Sequence, residues 1–261
     1  HMDRNDFMIF KWGKILWLLA AFSIFLSGCN DLTEKKAKRE ATAEEMYLSA
    51  DAKLKDNLNA EAASLFAAVE RQYPYSEWAK KSLLMSAIAN HNGAFYEESR
   101  ADAERYLDFY PADVDAAHAQ YLIALSYYDQ IDNVSRDQSV TFNALQAFRT
   151  VIERYPNSEY TSPSLLKFDL SLDHLAGAEM EVGRYYLKRG HFGAAISRFR
   201  VVVEEFETTS HTPEALHRLV ESYLSLGLTA NAQTTGAILG HNFQASDWYK
   251  DTYVLLTGRG I

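Results

Sequence analysis

The chain has 261 residues, 26 Lys and Arg against 35 Asp and Glu, and a formal net charge of −9. An acid excess of this size excludes a nucleic-acid partner, whose phosphates need a basic footprint, and removes electrostatic attraction to anionic lipid. A single cysteine excludes an internal disulfide, and the length suits one elongated domain or two compact ones.

The leading His1-Met2 reads as a cloning scar. Lys11 and Lys14 then precede an uncharged apolar run at 15–26, which closes on Leu26-Ser27-Gly28-Cys29. A spanning helix needs about 20 apolar residues, more than this run supplies. A basic start, an apolar middle and small residues at the end make 1–28 a signal peptide. With cysteine in the last place, the segment resembles a bacterial lipoprotein signal. That resemblance implies cleavage before Cys29 and a covalent lipid on it; no other cofactor is expected. Residues 1–28 hold Arg4, Lys11, Lys14, Asp3 and Asp6, so the rest of the chain carries a formal charge of −10. Membrane attachment would then rest on acyl chains, at about 0.8 kcal/mol per buried CH2. Residues 29–41 read as a lipidated polar tether.

Thr42-Ala43-Glu44-Glu45 reads as a capping box that opens the first helix. From there helical periodicity runs to the end of the chain. Ala62, Phe66, Val69 and Pro74 recur at the same offsets as Ala144, Phe148, Val151 and Pro156, and again as Ala195, Phe199 and Val202, with Glu207 in the proline's place. Weaker copies are Ser99, Ala103, Tyr106, Pro111 and Ala232, Gly236, Leu239. The copies start 37, 45, 51 and 37 residues apart. The pattern resembles the second helix of a tetratricopeptide repeat, whose period is about 34. The small residue lets two helices approach, the aromatic fills the gap between hairpins, and proline ends the helix.

The first helix of each pair can be located independently. Ala50, Ala87 and Gly183 stand at its small position, with Tyr186 following Gly183. Leu216, Leu219 and Tyr223 hold the apolar places before Ala232. Tyr121, Ala124 and Tyr127 fit only with a polar insert at 131–138. The widest spacing predicts a long helix at 164–188. Pro163 and Pro213 are expected at N1, behind Ser162 and Thr212 as hydroxyl N-caps. A final helix at 245–256 would cover the last repeat. The expected fold is therefore all-α, a tetratricopeptide-like α-solenoid of about five helix-turn-helix repeats. Residues 42–130 form the N-terminal repeats, and 131–261 form the C-terminal repeats with their capping helix.

The chain carries no GxSxG, glycine-rich phosphate loop, HExxH or CxxC. His174 and His191 stand too far apart for a helical metal pair. No catalytic, metal or cofactor residues are expected, and a repeat surface that captures partners is.

Residues 136–199 go beyond generic repeats. They contain Arg136-Asp137-Gln138-Ser139, Tyr155-Pro156-Asn157-Ser158-Glu159-Tyr160 and Gly183-Arg184-Tyr185-Tyr186-Leu187-Lys188-Arg189-Gly190, followed by Ala194-Ala195-Ile196-Ser197-Arg198-Phe199. With the lipoprotein signal and the repeats, the chain resembles the BamD/ComL family of outer-membrane β-barrel assembly lipoproteins. The resemblance implies a lipid-anchored protein on the periplasmic face of the outer membrane, with Asn30 fitting that sorting. It implies docking on the POTRA domains of the barrel subunit BamA through the C-terminal repeats, at Arg198 and Arg189. It also implies contacts with other lipoproteins of the complex, and N-terminal repeats that receive unfolded outer-membrane proteins. Counting from the repeat register, the client groove would present Glu44, Tyr47, Leu84, Ile88, His91, Tyr121 and Tyr128. The same tyrosines can instead pack between helices, and Arg198 can instead pair with Glu179 or Glu205. A periplasmic repeat adaptor for cell division or peptidoglycan synthesis is the alternative function.

Overall fold

The computed structural model describes residues 40–131 and 138–258. The expected signal peptide, Cys29, most of the tether and most of the polar insert lie outside these residues. Among the described residues the chain forms eleven helices and no strand. In order they are α1 (Ala43–Lys55), α2 (Asn59–Gln72), α3 (Glu77–Asn92), α4 (Tyr96–Phe109), α5 (Ala116–Tyr128), α6 (Ser139–Arg154), α7 (Thr161–Lys188), α8 (Phe192–Glu205), α9 (Thr212–Ser225), α10 (Thr229–Asn242) and α11 (Asp247–Thr257). Each helix packs on its neighbours in the chain, which gives five hairpins and a last helix laid on α9 and α10. The tetratricopeptide-like register, the long helix and the capping helix all stand where the sequence places them.

The repeat positions make the core. Ala62, Phe66, Val69, Ala144, Phe148, Val151, Ala195, Phe199 and Val202 are all fully buried. The weaker copies behave alike, with Ser99, Ala103, Ala232 and Leu239 fully buried and Tyr106 nearly so. Gly183 shows why the first helix needs a small residue. A Cβ there would stand 2.5 Å from Phe199 Cε1. Ala124 on α5 shares one cluster with Ala144 and Phe148 on α6. The division at 130/131 therefore falls between the two helices of one hairpin, whose core runs across it.

Two kinds of joint alternate. Inside hairpins, Asn57, Ala94, Gly190 and Gly227 take positive φ of 60 to 76° and close the first helix. The next amide reaches back five residues, as His191 N to Tyr186 O (3.0 Å) and Leu228 N to Tyr223 O (2.9 Å), the Schellman arrangement. Between hairpins, an aromatic residue ends the second helix and its carbonyl accepts from the amide three residues on. The pairs are Tyr73/Ser76, Tyr110/Asp113, Tyr155/Ser158, Phe206/Thr209 and Phe243/Ser246, at 2.9 to 3.1 Å.

The same joints correct the expected N-caps. α7 starts at Thr161 and α9 at Thr212, so Ser162 and Thr212 are helical residues, and Pro163 and Pro213 sit deeper in the first turn. Proline is tolerated there because first-turn amides lack intrahelical partners anyway. The hydroxyls of the first helical residues, Thr161 and Thr212, point backward. Thr161 Oγ1 donates to Tyr155 O at 2.6 Å and Thr212 Oγ1 to Glu207 O at 3.0 Å. Ser76 and Ser246 cap their own helices, accepting from Ala79 N and Tyr249 N.

Phe148→Ala and Phe199→Ala should each lower stability by about 3–5 kcal/mol in urea melts, the range for deleting a buried ring. At the second joint, Asp113 accepts from Asp115 N (3.1 Å), Tyr106 Oη (2.8 Å) and Lys80 Nζ (3.0 Å). The Asp115 amide leads these contacts in holding its carboxyl below the usual range, against the opposing effect of burial. A carboxyl depressed on folding stabilises above its unfolded pKa, about 3.9, and that contribution fades as pH falls through the folded value. Asp113→Asn should therefore cost about 1–2 kcal/mol at neutral pH, with the gap to wild type closing below about pH 4. Urea midpoints across that range check it.

Candidate interaction surfaces

The groove residues fall on α1, α3 and α5, the first helices of three consecutive hairpins. The structure spends most of them on packing. Leu84 is core, at 7% exposure, which removes it from a client-facing surface. Ile88 is half-buried against the same cluster. Tyr47 lies 5.4 Å from Phe66 and 4.9 Å from Trp78 between ring centroids. Tyr121 leans on Tyr160 at 5.2 Å, and Tyr128 meets Phe148 edge-on at 5.9 Å under the Lys167 ammonium. Burial pushes the Tyr47 and Tyr121 hydroxyls up. His91 Nε2 lies 3.1 Å from Asp129 Oδ2, just past the end of α5, without hydrogen-bond geometry. Glu44 is exposed. What this face leaves accessible is part of three half-buried tyrosines, aromatic area with a polar tip.

Arg198 and Arg189 lie at the other end of the chain. Arg198 stands midway along α8 and its Nη1 donates to both oxygens of Glu179 on α7, at 3.0 and 3.3 Å. The side chain stays 45% exposed, so it is paired yet reachable. Arg189 follows the last residue of α7, exposed, with its guanidinium 4.5 Å above the Tyr185 ring. The sequence reading missed the network beside them. Arg184 of α7 donates to Glu214 of α9 at 2.9 Å, and Arg218 bridges Glu214 and Glu221 at 3.3 and 2.8 Å. Burial would raise the Glu221 carboxyl, but the bonds from His217 and Arg218 outweigh it and hold the group low. His217 is buried, its Nδ1 2.7 Å from Thr252 Oγ1 on α11, so the network also fastens the capping helix.

A second feature escaped the sequence reading. α7 is 28 residues long, twice the length of α8, and its early turns leave Leu165, Leu166 and Leu170 exposed, as Phe142 is on α6. The 51-residue spacing signalled the extra turns but not their exposed leucines, which stand beside the buried Ser164 and Ser171 and the half-buried Phe168. Among the described residues no helix is long and apolar enough to cross a membrane.

Comparison with known proteins gives this geometry its context. The outer membrane lipoprotein family YfiO matches residues 39–238. The chain belongs to the YfiO family. The match runs from the end of the tether almost through α10, taking in both arginines and all the groove residues, and leaves out Cys29 and α11. A Caulobacter vibrioides protein named outer membrane protein assembly factor BamD is 50% identical over 201 residues, 77% of this chain and 66% of that protein. A Rickettsia prowazekii protein of the same name is 39% identical over 248 residues, 94% of this chain and 98% of its own. The TPR2AB domain of yeast Sti1 in its pHSP90 complex, a solved structure, overlaps 82% of each chain at a TM-score of 0.46 and 10% identity. Across the YfiO match, the buried repeat positions account for the packing, while Arg198, Arg189 and the tyrosine edges are surface chemistry that packing alone does not require.

The Arg198–Glu179 pair is an exposed contact, worth about 1 kcal/mol or less. Arg198→Ala should leave the urea midpoint nearly unchanged, and a loss as large as that of a buried ring would make Arg198 structural.

Proposed function

We propose that the chain is a non-enzymatic assembly factor for outer-membrane proteins, held at the periplasmic face of the outer membrane by a lipid on Cys29. The observation that carries this reading is the 39% identity to the Rickettsia assembly factor along 94% of this chain and 98% of that one. The five-hairpin fold supports it, because stacked hairpins present extended surfaces suited to holding partners. The charge supports it too. An acidic chain gains nothing electrostatically from an anionic bilayer, so acyl chains supply the attachment, and stable anchoring takes more than one.

In this reading the C-terminal hairpins dock on the BamA POTRA domains through Arg198 and Arg189. Other lipoproteins of the complex bind nearby. Unfolded outer-membrane proteins meet the first helices of the N-terminal hairpins, at Tyr47, Ile88, His91, Tyr121 and Tyr128. Docking at Arg198 is an exchange of carboxylates. The guanidinium leaves Glu179 for an acid on the partner, so the net energy is small and the fork geometry supplies the specificity.

Affinity capture of the lipidated protein from detergent-solubilised envelopes tests this. Wild type should recover BamA in stoichiometric amount. Arg198→Ala should recover several-fold less, with the fold intact by its urea midpoint. Undiminished BamA with the variant removes Arg198 from the contact, and absence of BamA from the wild-type capture overturns the assembly reading.

A further inference from the structure

We infer that the cleft between α2 and α4 receives a lysine or arginine side chain from a partner polypeptide. α2 and α4 both pack on α3 without packing backbone to backbone, and apart from the Arg105–Glu70 ion pair that joins them an opening of about 440 Å3 lies between them. One wall is Ala60, Ala63, Ser64 and Ala67 of α2, a single stripe at i, i+3, i+4 and i+7. The other carries Glu98, Ala101 and Asp102 of α4, and Phe95, a residue 43% exposed, completes the lining beside them. The lining contains two carboxylates and no cation.

The open wall belongs to this hairpin and is not a generic property of the repeat. At the matching register of α6 stand Phe142, Leu145, Gln146 and Arg149, and at that of α8 Gly193, Ile196, Ser197 and Arg200. Only α2 has a small side chain at every one of these places. Asp102 is likewise peculiar to α4, in the next hairpin. The same register position, three after the small residue, is Ala147 in α6 and Arg198 in α8.

Asp102 stands at the floor with its side chain 18% exposed. Its Oδ2 accepts from Ser86 Oγ at 2.6 Å and Asn90 Nδ2 at 3.0 Å, which aims the carboxylate. Its Oδ1 comes no nearer than 3.9 Å to Arg105, whose guanidinium is held by Glu70 across the cleft's end. Burial pushes the Asp102 carboxyl up in spite of Ser86, Arg105 and Asn90, so the charge is under-compensated. Glu98, one turn earlier on the same face, adds a second negative charge. A basic side chain answers each feature. Its methylenes lie along the alanine wall, its head reaches two carboxylates, and Phe95 offers a ring to the cation. The inference goes beyond the assembly reading and does not rest on it.

The test uses the full chain in detergent micelles with labelled alanine methyls. The probes are the peptides acetyl-Ala-Arg-Ala-amide and acetyl-Ala-norleucine-Ala-amide. The arginine peptide should shift the Ala63, Ala67 and Ala101 methyls saturably, and the norleucine peptide should not. Asp102→Asn and Glu98→Gln should each weaken the arginine response, Asp102→Asn by about tenfold, the factor that 1.4 kcal/mol of lost charge-assisted bonding gives. Glu98 is exposed, so its variant decides the matter if Asp102→Asn fails to fold. Equal shifts from both peptides, no saturable shift, or an arginine response unchanged in the folded variants would overturn the site. So would shifts produced only by phosphatidylethanolamine vesicles, which would reassign the cleft to a lipid headgroup.

Discussion

The structure depends on one contact repeated along it, a small residue on the first helix of a hairpin letting an aromatic or apolar residue of the second lie flat against it. Gly183 and Phe199 are its tightest case. The ring is fully buried and occupies the space that any Cβ at 183 would need. Ala50 with Phe66 and Ala124 with Phe148 share clusters in the same way. This contact sets how close the paired helices come, and so where the next hairpin can pack. Without a disulfide, stability is the sum of such local interfaces, each shared only with neighbours.

Much of this was legible because a repeat reports its own register. Alanine, phenylalanine and valine at offsets of four and three are informative singly only about amphipathicity, but their recurrence identifies hairpins. The boundaries were less legible. Ser162 and Thr212 have the look of caps because hydroxyls before proline often are, but both lie inside their helices. The carbonyls released at the end of the previous helix need donors, and Thr161 and Thr212 supply them. The signal was present in the sequence as an aromatic followed three residues later by Ser, Thr or Asp, at every joint.

The surfaces were the least legible part. Periodicity separates buried from exposed faces, but it does not say which half-buried tyrosine faces a groove and which faces Phe148, since both lie on the same helix stripe. Leu84 shows the limit, placed by register on the groove and by packing in the core. Arg198 shows the converse. Its exposure and its Glu179 partner depend on α7 lying alongside α8, which spacing alone leaves open. The register still sorts the hairpins by chemistry. One structural position carries Asp102 in one hairpin and Arg198 in another, so the same scaffold position presents opposite charges at two places along the chain.

The interlock is tested most directly by a double-mutant cycle on Gly183 and Phe199. Alanine is a better helix former than glycine by about 1 kcal/mol, so Gly183→Ala would stabilise a helix with open space at that position. Against the buried Phe199 ring it should instead destabilise by about 1–3 kcal/mol. In a Phe199→Val background, which removes Cδ1, Cε1 and Cζ from the contact, the same change should become neutral or stabilising. A stabilising Gly183→Ala in the wild-type protein, or an equal effect in both backgrounds, would contradict the account.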